Sequence, residues 1–188
     1  KEVAKRLDLD VENVNVIPTY LGGGFGRRLH TPHAVQAAIL SKAVGKPVKY
    51  FFSRKEEFQH DMFRPPTHHV IKGKLNAEGY LDGLEHQFVS GDVATDSALI
   101  PNALTNFLGA DVGAIRGGFI QYTAIPNFKA ECWHVELPFA TSWWRSLGLL
   151  ANTFAMESFM DEMALKANKN AVDFRIHQIA DEPIDVRL

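Results

Sequence analysis

The sequence predicts an α+β protein with mixed sheets and packed helices. Stretches that alternate apolar and polar residues predict strands, most clearly in HHVIKGKLNAEGYLDGLEHQFVSGD. A segment with apolar residues three and four positions apart, LGLLANTFAMESFMDEMALK, predicts a long helix. The chain has 188 residues, 46% of them hydrophobic, which is enough for one well-buried core or two small ones.

The N-terminal third is predicted to alternate helices and strands. KEVAKRLDLD is typical of an amphipathic helix, and the alternation in VENVNVIPTYL predicts a half-buried strand. Thr31 and Pro32 form a helix start, since threonine can cap free N–H groups and proline needs no donor in the first turn. The helix HAVQAAILSKAV is expected to end at Gly45, and VKYFF is predicted to be the next strand.

A charged connector is predicted to divide the chain. Residues 54–66 include several charges and end in a double proline, which predicts little regular structure between a sub-lobe at 1–53 and a sub-lobe at 67–188. In the second sub-lobe, Asn76 to Gly79 supplies the turn of a hairpin. ALIPNALTNFLGAD predicts a short helix, whereas FIQYTAIP and FKAECWHVEL predict strands. The helix from Leu147 to Lys166 is apolar on nearly every face, which predicts deep burial.

Composition excludes several classes of function. The formal net charge is −2 and the basic residues are scattered, which argues against a nucleic-acid partner. One cysteine, Cys132, excludes an internal disulfide and a thiolate-built metal or iron–sulfur site within this chain. No apolar run approaches the roughly 18 to 20 residues of a transmembrane segment. Because Lys1 opens on what resembles the middle of a helix, we expect a piece of a longer protein.

The glycine-rich stretch TYLGGGFGRRLHTPH is the most unusual part of the sequence. It fails the dinucleotide fingerprint because the third required glycine falls on Arg27, and it lacks the Lys-Ser/Thr ending of a P-loop. It predicts a corner where bare main-chain N–H groups and two arginines meet an electron-rich group. The alternative is a tight turn that needs its glycines for conformation only.

A second unusual stretch, ATSWWRSLG, directly precedes the long helix. Ser146 and neighbouring amides at a helix start suit an anion or a polar ligand, and Trp143 or Trp144 can form an aromatic wall. The alternative is that the tryptophans belong to the core and that Arg145 stacks on one of them.

Other reactive side chains are assigned structural roles. His30 and His33, like the adjacent His68 and His69, lack the further ligands of a zinc site. Cys132 is interpreted as a buried small hydrophobe. Helix caps and solvated faces explain the acids of the long helix, which are Glu157, Asp161 and Glu162.

YLGGGFGRR followed by SWWRSLGLLANTFAMESFMDEMA resembles the molybdenum-cofactor-binding subunit of the xanthine dehydrogenase/aldehyde oxidase family. Within that family the chain looks most like the isoquinoline 1-oxidoreductase beta-subunit group. The resemblance implies part of the molybdopterin-binding domain of aldehyde oxidase-like enzymes. It also implies a molybdenum–pterin cofactor in a dinucleotide form, iron–sulfur clusters on a small partner subunit, contact with the remainder of the large subunit, and a small-molecule substrate.

The same resemblance assigns the site residues. Main chain in two segments would contact the cofactor, namely Gly23, Gly24, Phe25 and Gly26 in the first and Arg145 and Ser146 in the second. Phe25 and Trp144 would shape the substrate pocket, and no residue here would ligate the metal directly. The catalytic general base, a glutamate in a glycine-glutamate-proline context, is expected downstream, and Glu182 in DEPIDVRL does not match that context.

The implied reaction is oxidative hydroxylation of an N-heteroaromatic compound or an aldehyde with water-derived oxygen. Xanthine-type members carry glycine-lysine-glutamate where this chain has Arg27, Arg28 and Leu29, which argues against a purine substrate. Without the base, the isolated fragment is expected to be inactive. Two non-catalytic alternatives stay open, a phosphate- or nucleotide-binding module and an assembly module.

Overall fold

The computed structural model describes residues 1–94, 107, 109–118, 122 and 124–179. The chain divides into two compact units, Lys1–Met62 and Phe63–Leu188. Among the residues described, no helix is long and apolar enough to cross a membrane.

The first unit is built from helices and irregular chain. Its elements are α1 (Glu2–Leu7), a 3-10 helix (Val11–Asn13), a second 3-10 helix (Arg27–Leu29), α2 (Pro32–Val44) and α3 (Arg54–His60). Helix α2 begins at Pro32 and ends at Gly45, which adopts φ 65°, so both predicted boundaries are confirmed. Thr31 is the N-cap residue, as predicted, but its side chain makes no capping hydrogen bond, so that part of the prediction is wrong.

Both strands predicted in the first unit are wrong. Residues 14–20 and 48–52 have no regular structure, although both stretches are rich in apolar residues. Val16, Ile17 and Tyr20 are exposed, so the alternation in this segment does not place one face against a core. A strand is stabilised by pairing with a neighbour, and none of the described residues of this unit forms a strand.

Helix α3 lies where the sequence predicted a connector with little regular structure, and that prediction is wrong. The Ser53 hydroxyl accepts a hydrogen bond from the Glu56 N–H at 3.3 Å, and the Ser53 N–H donates to Glu56 Oε2 at 2.8 Å. This reciprocal capping box satisfies two helix N-terminal donors and starts the helix.

Over its described residues, the second unit has a three-stranded mixed sheet and two helices with described bounds. Strands β1 (Thr67–Leu75) and β2 (Leu81–Ser90) pair antiparallel, and β3 (Asn127–His134) pairs parallel with β2. The hairpin turn is the one predicted, since Asn76 Oδ1 accepts the N–H groups of Glu78 and Tyr80 at 3.1 and 2.8 Å. Helices α4 (Leu149–Lys166) and α5 (Ala171–His177) follow.

The core of the second unit forms where the inner face of β2 meets the two helices. Strand alternation turns Leu84, His86 and Phe88 inward, and α4 contributes methionines one turn apart. The buried cluster consists of Leu81, Leu84, Tyr122, Ile125, Met156, Met160, Met163, Ala164 and Phe174. The predicted burial of nearly every face of α4 is wrong, because Phe154 and Leu165 are 75% and 82% exposed.

Several predicted elements fall wholly or mostly outside the described residues. The predicted short helix in ALIPNALTNFLGAD and the predicted strand FIQYTAIP are described only in part, and Ala124 to Pro126 do not form a strand. The DEPIDVRL segment, with Glu182, lies outside the described residues entirely.

Candidate functional site

The glycine loop of the first unit is an exposed turn that leads into the second 3-10 helix. The Gly26 carbonyl accepts a hydrogen bond from the Leu29 N–H at 3.0 Å, which closes the helical turn. Phe25 and Gly26 have φ angles of 49° and 98°, and the left-handed region is unusual for a residue as bulky as phenylalanine. The Phe25 side chain is 67% exposed, so the core of this unit does not hold its ring.

The glycines of the loop differ in what requires them. A Cβ on Gly23 would lie 2.7 Å from the Phe25 ring, so the loop's own packing favours glycine there. A Cβ on Gly24 would meet only Arg28 side-chain carbons at 3.6 and 3.7 Å, and one on Gly22 would meet nothing within 4 Å. Neither Gly22 nor Gly24 has a left-handed φ. Neither packing nor backbone conformation within the described chain therefore explains Gly24.

The main chain of this loop presents free donors. Among the described residues, no acceptor takes a hydrogen bond from the N–H of Gly23, Gly24 or Phe25. Of the two arginines that follow, Arg27 is paired with Asp61, with 2.5 Å between Nε and Oδ1. The loop thus offers main-chain N–H groups, whereas the charge of Arg27 is already compensated by Asp61.

The second segment forms a tight turn before α4. The Leu147 N–H donates to the Trp144 carbonyl at 2.8 Å, and the Leu149 N–H donates to the Ser146 carbonyl at 3.0 Å. Ser146 and Leu147 have φ angles of 76° and 54°, two consecutive left-handed residues that carry a Cβ. No acceptor among the described residues takes the N–H of Arg145 or Ser146. The donors that the sequence assigned to a cofactor are free here as well.

Arg64 holds this turn from the other side. Its Nη1 donates to the Leu147 carbonyl at 3.0 Å, and its Nη2 donates to the Arg145 carbonyl at 2.6 Å. Its guanidinium also lies over the Trp144 ring, 5.6 Å from the centroid. Burial lowers the pKa of Arg64 from its ordinary value, but a guanidinium stays protonated in proteins.

The start of α4 is fixed to a neighbouring loop. The Gly148 N–H donates to the Gly113 carbonyl at 3.0 Å, and a Cβ on Gly148 would clash with the Ala114 carbonyl oxygen. One turn into the helix, Asn152 is buried, and its Nδ2 donates to the carbonyls of Ala114 and Arg116 at 2.8 and 2.9 Å. These contacts determine where the helix, and the turn before it, begin.

Asp111 organises that neighbouring loop. Its side chain is buried, and its carboxylate accepts several main-chain N–H groups, which belong to Val93 at 3.0 Å, Ala94 at 2.9 Å, Gly113 at 2.6 Å and Ala114 at 3.2 Å. A buried carboxylate with this many donors is a structural anchor. Burial of Cys132 and, as a smaller effect, the negative charge of Asp111 raise the pKa of the thiol to about 11. The thiol is therefore a poor nucleophile.

Left-handed residues with side chains are concentrated in the two candidate segments. Among the described residues, those with positive φ are Asp8, Phe25, Ser146, Leu147 and Asn168. Asp8 and Asn168 follow the ends of helices, where this conformation is common. The other three lie in the segments that the sequence singled out, which is typical of functional sites.

Two histidines, the buried His86 and the half-buried His69, form a chain of hydrogen bonds in the second unit. His86 Nδ1 lies 3.0 Å from the Gly118 carbonyl and must donate to it, so its Nε2 accepts from His69 Nδ1, also at 3.0 Å. His69 Nε2 then accepts from the Thr67 hydroxyl at 2.9 Å. Burial lowers the pKa of both rings, that of His69 to about 4. No group of three or more candidate metal ligands occurs among the described residues.

The acids of α4 have structural roles, as expected, but Glu157 is partly buried in mid-helix and belongs to neither a helix cap nor a solvated face. Glu157 accepts a hydrogen bond from the Tyr122 hydroxyl at 2.6 Å and pairs with Arg175 at 2.7 Å. Asp161 pairs with the same Arg175 at 2.8 Å. Together these contacts link α5 to α4 and satisfy the tyrosine hydroxyl.

Some of the residues that shape the candidate site were not predicted from the sequence. Trp144 is half exposed, and the arginine that stacks on it is Arg64, not Arg145. Arg64 falls in the stretch interpreted as a connector. Asn152 did carry a signal, since an amide within an otherwise apolar helical segment indicates a buried hydrogen bond.

Comparison with known proteins identifies relatives along nearly the whole chain. The family model described as "Molybdopterin cofactor-binding domain" matches residues 1–179. The "Membrane-bound aldehyde dehydrogenase [pyrroloquinoline-quinone]" of Gluconacetobacter polyoxogenes is 29% identical over 179 residues, 93% of this chain and 23% of that protein. The "Isoquinoline 1-oxidoreductase subunit beta" of Brevundimonas diminuta is 30% identical over 167 residues, 87% of this chain and 21% of that protein.

A solved structure has the same fold. Quinoline 2-oxidoreductase from Pseudomonas putida 86 matches with a TM-score of 0.69 and 21% identity, covering 89% of this chain and 21% of that one. The chain therefore spans about a fifth of the length of the relatives it matches. Because 30% and 29% identity are nearly equal, sequence similarity does not single out the isoquinoline group.

Proposed function

Because the chain belongs to the molybdopterin cofactor-binding domain family, we propose that it is part of the large subunit of a molybdenum hydroxylase. The proposed reaction adds water-derived oxygen to an aldehyde or an N-heteroaromatic compound. The names of the relatives support this choice, since they describe an aldehyde dehydrogenase and enzymes of isoquinoline and quinoline. The whole reaction would need the rest of the subunit, since this chain spans about a fifth of such relatives.

The observation that carries the proposal is the unexplained glycine at position 24. A side chain there would fit within the described chain, and the backbone does not require glycine. Free N–H groups surround the position. A bare main chain with unused donors suits the close approach of an electron-rich group from outside the chain, which supports a cofactor contact here.

The residues of each segment fit a pterin cofactor in the chemistry of their donors. In the first segment the N–H groups of Gly23 to Phe25, with Gly26 allowing the turn, would donate to oxygen atoms of the cofactor. In the second segment the N–H groups of Arg145 and Ser146 would do the same. When bound, the molybdenum–pterin group supplies the redox chemistry of hydroxylation.

The remaining roles belong to side chains. The exposed Phe25 and Trp144 rings would exclude water from the substrate and orient a flat aromatic ring or an aldehyde substituent. The proton acceptor would be a glutamate elsewhere in the subunit, because no acid of the described segments lies in the expected glycine-glutamate-proline context.

We also propose the partners that such a reaction requires. Electrons would leave through iron–sulfur clusters on a small subunit, since the single cysteine of this chain cannot hold a cluster. The cofactor would be a dinucleotide form of the pterin, by resemblance to the bacterial enzymes. The remainder of the large subunit would complete the cofactor site and supply the proton acceptor.

The test compares Gly24→Ala with Gly22→Ala in the intact enzyme. Both variants add one methyl group to the same loop, and the structure has room for either. We expect Gly24→Ala to lose at least tenfold in turnover of benzaldehyde or isoquinoline while its thermal unfolding is unchanged. Gly22→Ala should keep both. Wild-type turnover in Gly24→Ala, or an intact protein without molybdenum and pterin, would contradict the proposal.

The structure weakens the phosphate-binding alternative. This alternative depended on Arg27 and Arg28 as two available cations, but Arg27 is paired with Asp61. An assembly role without chemistry predicts that the intact protein contains no molybdenum. Measuring the molybdenum and pterin content of the intact protein therefore separates that alternative from the enzyme.

A further inference from the structure

We propose that Arg64 is a positioning residue, which aims the Ser146 N–H at the pterin cofactor by holding the Arg145–Leu147 turn. This inference rests on the proposed function, since it names how one of the proposed cofactor contacts is held in place. Arg64 itself would not touch the cofactor.

The geometry of the peptide unit gives Arg64 this role. In a planar trans peptide, the carbonyl of one residue and the N–H of the next point in opposite directions. Arg64 Nη2 holds the Arg145 carbonyl at 2.6 Å, so the Ser146 N–H must point away from Arg64. That N–H has no acceptor among the described residues. The guanidinium thereby decides the direction of a free donor that it does not contact.

The second contact of Arg64 acts in the same way on the peptide unit between Leu147 and Gly148. Arg64 Nη1 holds the Leu147 carbonyl at 3.0 Å, which turns the Gly148 N–H in the opposite direction. That N–H donates to the Gly113 carbonyl at 3.0 Å. The turn is therefore held between Arg64 on one side and the Gly113 loop on the other.

The turn needs this support because its backbone is unfavourable. Ser146 and Leu147 both adopt left-handed φ angles, which residues with a Cβ avoid unless the surroundings impose them. Two bonds from one charged, planar guanidinium impose both peptide orientations at once. A lysine carries a single ammonium group without the fixed fork and would not hold both carbonyls equally well.

Arg64 is well placed to act as a fixed point. The preceding residue, Phe63, donates its N–H to the Ala140 carbonyl at 3.0 Å and accepts from the Ser142 N–H at 3.1 Å. The Arg64 guanidinium packs over the Trp144 ring. The main chain before Arg64 and the main chain before the turn are thus joined directly, so the distance from Arg64 to the turn is fixed.

The experiment uses the intact enzyme with Arg64→Gln, Arg64→Lys and the control Arg175→Gln. Arg175 is also a partly buried arginine of the second unit, but it pairs with Glu157 and Asp161 and does not contact the turn. Two quantities are measured for each protein: bound pterin and molybdenum per subunit, and hydrogen exchange of peptides that cover residues 144–149.

We expect Arg64→Gln to reduce cofactor occupancy at least tenfold and to speed exchange across 144–149, with Arg64→Lys between it and wild type. Arg175→Gln should keep occupancy and local exchange. The inference is overturned if Arg64→Gln matches wild type in either measurement, or if Arg175→Gln loses as much cofactor. A wild-type enzyme without cofactor would overturn the proposed function, and this inference with it, whereas loss confined to the Arg64 variants supports both.

Discussion

At the residue scale, the candidate site is made by main chain rather than by reactive side chains. Phe25, Ser146 and Leu147 adopt a conformation that their side chains disfavour. Each lies beside N–H groups that have no acceptor among the described residues. Of the side chains that matter most, Arg64 donates to carbonyls of the Arg145–Leu147 turn, whereas Asp111 anchors the neighbouring loop by accepting its main-chain N–H groups.

Asp111→Asn should destabilise the second unit. An amide in place of the carboxylate would keep one acceptor oxygen but turn an NH2 group towards main-chain donors, leaving buried N–H groups unsatisfied. Loss of charge-assisted hydrogen bonds of this kind costs about 2 to 3 kcal/mol in the free energy of unfolding. Chemical denaturation followed by tryptophan fluorescence measures this, and an unchanged midpoint would show that the carboxylate is not an anchor.

At the residue level, the sequence draws attention to positions where a residue type carries its own meaning, and the site residues named there stay predictions. The glycine triplet and the paired tryptophans marked the unusual segments because few other roles require such residues together. Arg64 and Asp111 could not be found in this way, because an isolated arginine or aspartate is ordinary in sequence. Their roles depend on carbonyls and N–H groups that lie up to 83 residues away along the chain.

At the element scale, α4 connects the candidate turn to the core. Its first turn is held by the Gly113–Arg116 loop, and its middle packs Met156 and Met160 into the buried cluster. The position of the turn before α4 is therefore coupled to the packing of Met156 and Met160 in the buried cluster. Changes at the helix start should be felt in both places.

Gly148→Ala should displace the start of α4. The added methyl group would clash with the Ala114 carbonyl oxygen and would lie 2.7 Å from that of Gly113. Overpacking against rigid backbone typically costs about 1 to 3 kcal/mol, and we expect the upper end here. Thermal unfolding of the variant checks the loss of stability, for which Gly45→Ala, at a helix end with no neighbour within 4 Å of the new Cβ, gives a comparison governed by backbone strain alone.

The histidine chain across β1 and β2 should make stability depend on pH. In the unfolded chain a histidine binds its proton near pH 6.5, whereas burial holds the pKa of folded His69 to about 4. Between these values the unfolded state binds more protons, so the free energy of unfolding falls as the pH decreases from 6.5 towards 4. Denaturation midpoints measured from pH 7 to 5, above the range where most carboxylates titrate, should show this decrease.

Removal of His69 tests the cause of this pH dependence. His69→Gln should make it shallower, since one of the two depressed titrations is gone. Equal slopes in His69→Gln and wild type would contradict the assignment.

The elements that the sequence predicted correctly are those whose signal is local. The β1–β2 hairpin has an asparagine turn and strict alternation, and α2 has proline at its start and glycine at its end. The two strand predictions in the first unit were wrong because an alternating pattern is compatible with a strand but does not supply the neighbouring strand with which it must pair. Helix α3 was missed although its Ser53–Glu56 capping box is written in the sequence.

At the scale of the whole molecule, the chain exposes many large apolar side chains. Tyr20, Phe51, Phe58, Phe154 and Leu165 are all at least 72% exposed. Because the chain spans about a fifth of its relatives, other parts of a large subunit are the expected cover for such surfaces.

The chain by itself should hold no stoichiometric molybdenum. Neither segment offers a metal ligand, and no cluster of three candidate ligands occurs among the described residues. We expect metal analysis of the purified 188-residue chain to find far less than one molybdenum per molecule, and the intact enzyme to contain about one. Stoichiometric metal on the chain alone would mean that the two segments suffice for binding.

The hydrogen-bonded chain Thr67–His69–His86–Gly118 also provides a spectroscopic signal of whether β1 and β2 are correctly paired. It fixes imidazole protons on Nδ1 of His86, which is buried, and of His69, which is half-buried, and their hydrogen bonds should move both proton resonances downfield of the amide envelope. Those two signals vanish if β1 slides against β2 or if either ring changes tautomer. A single nitrogen-15 spectrum of a histidine-labelled sample would thus report whether any variant of this chain has kept its sheet intact.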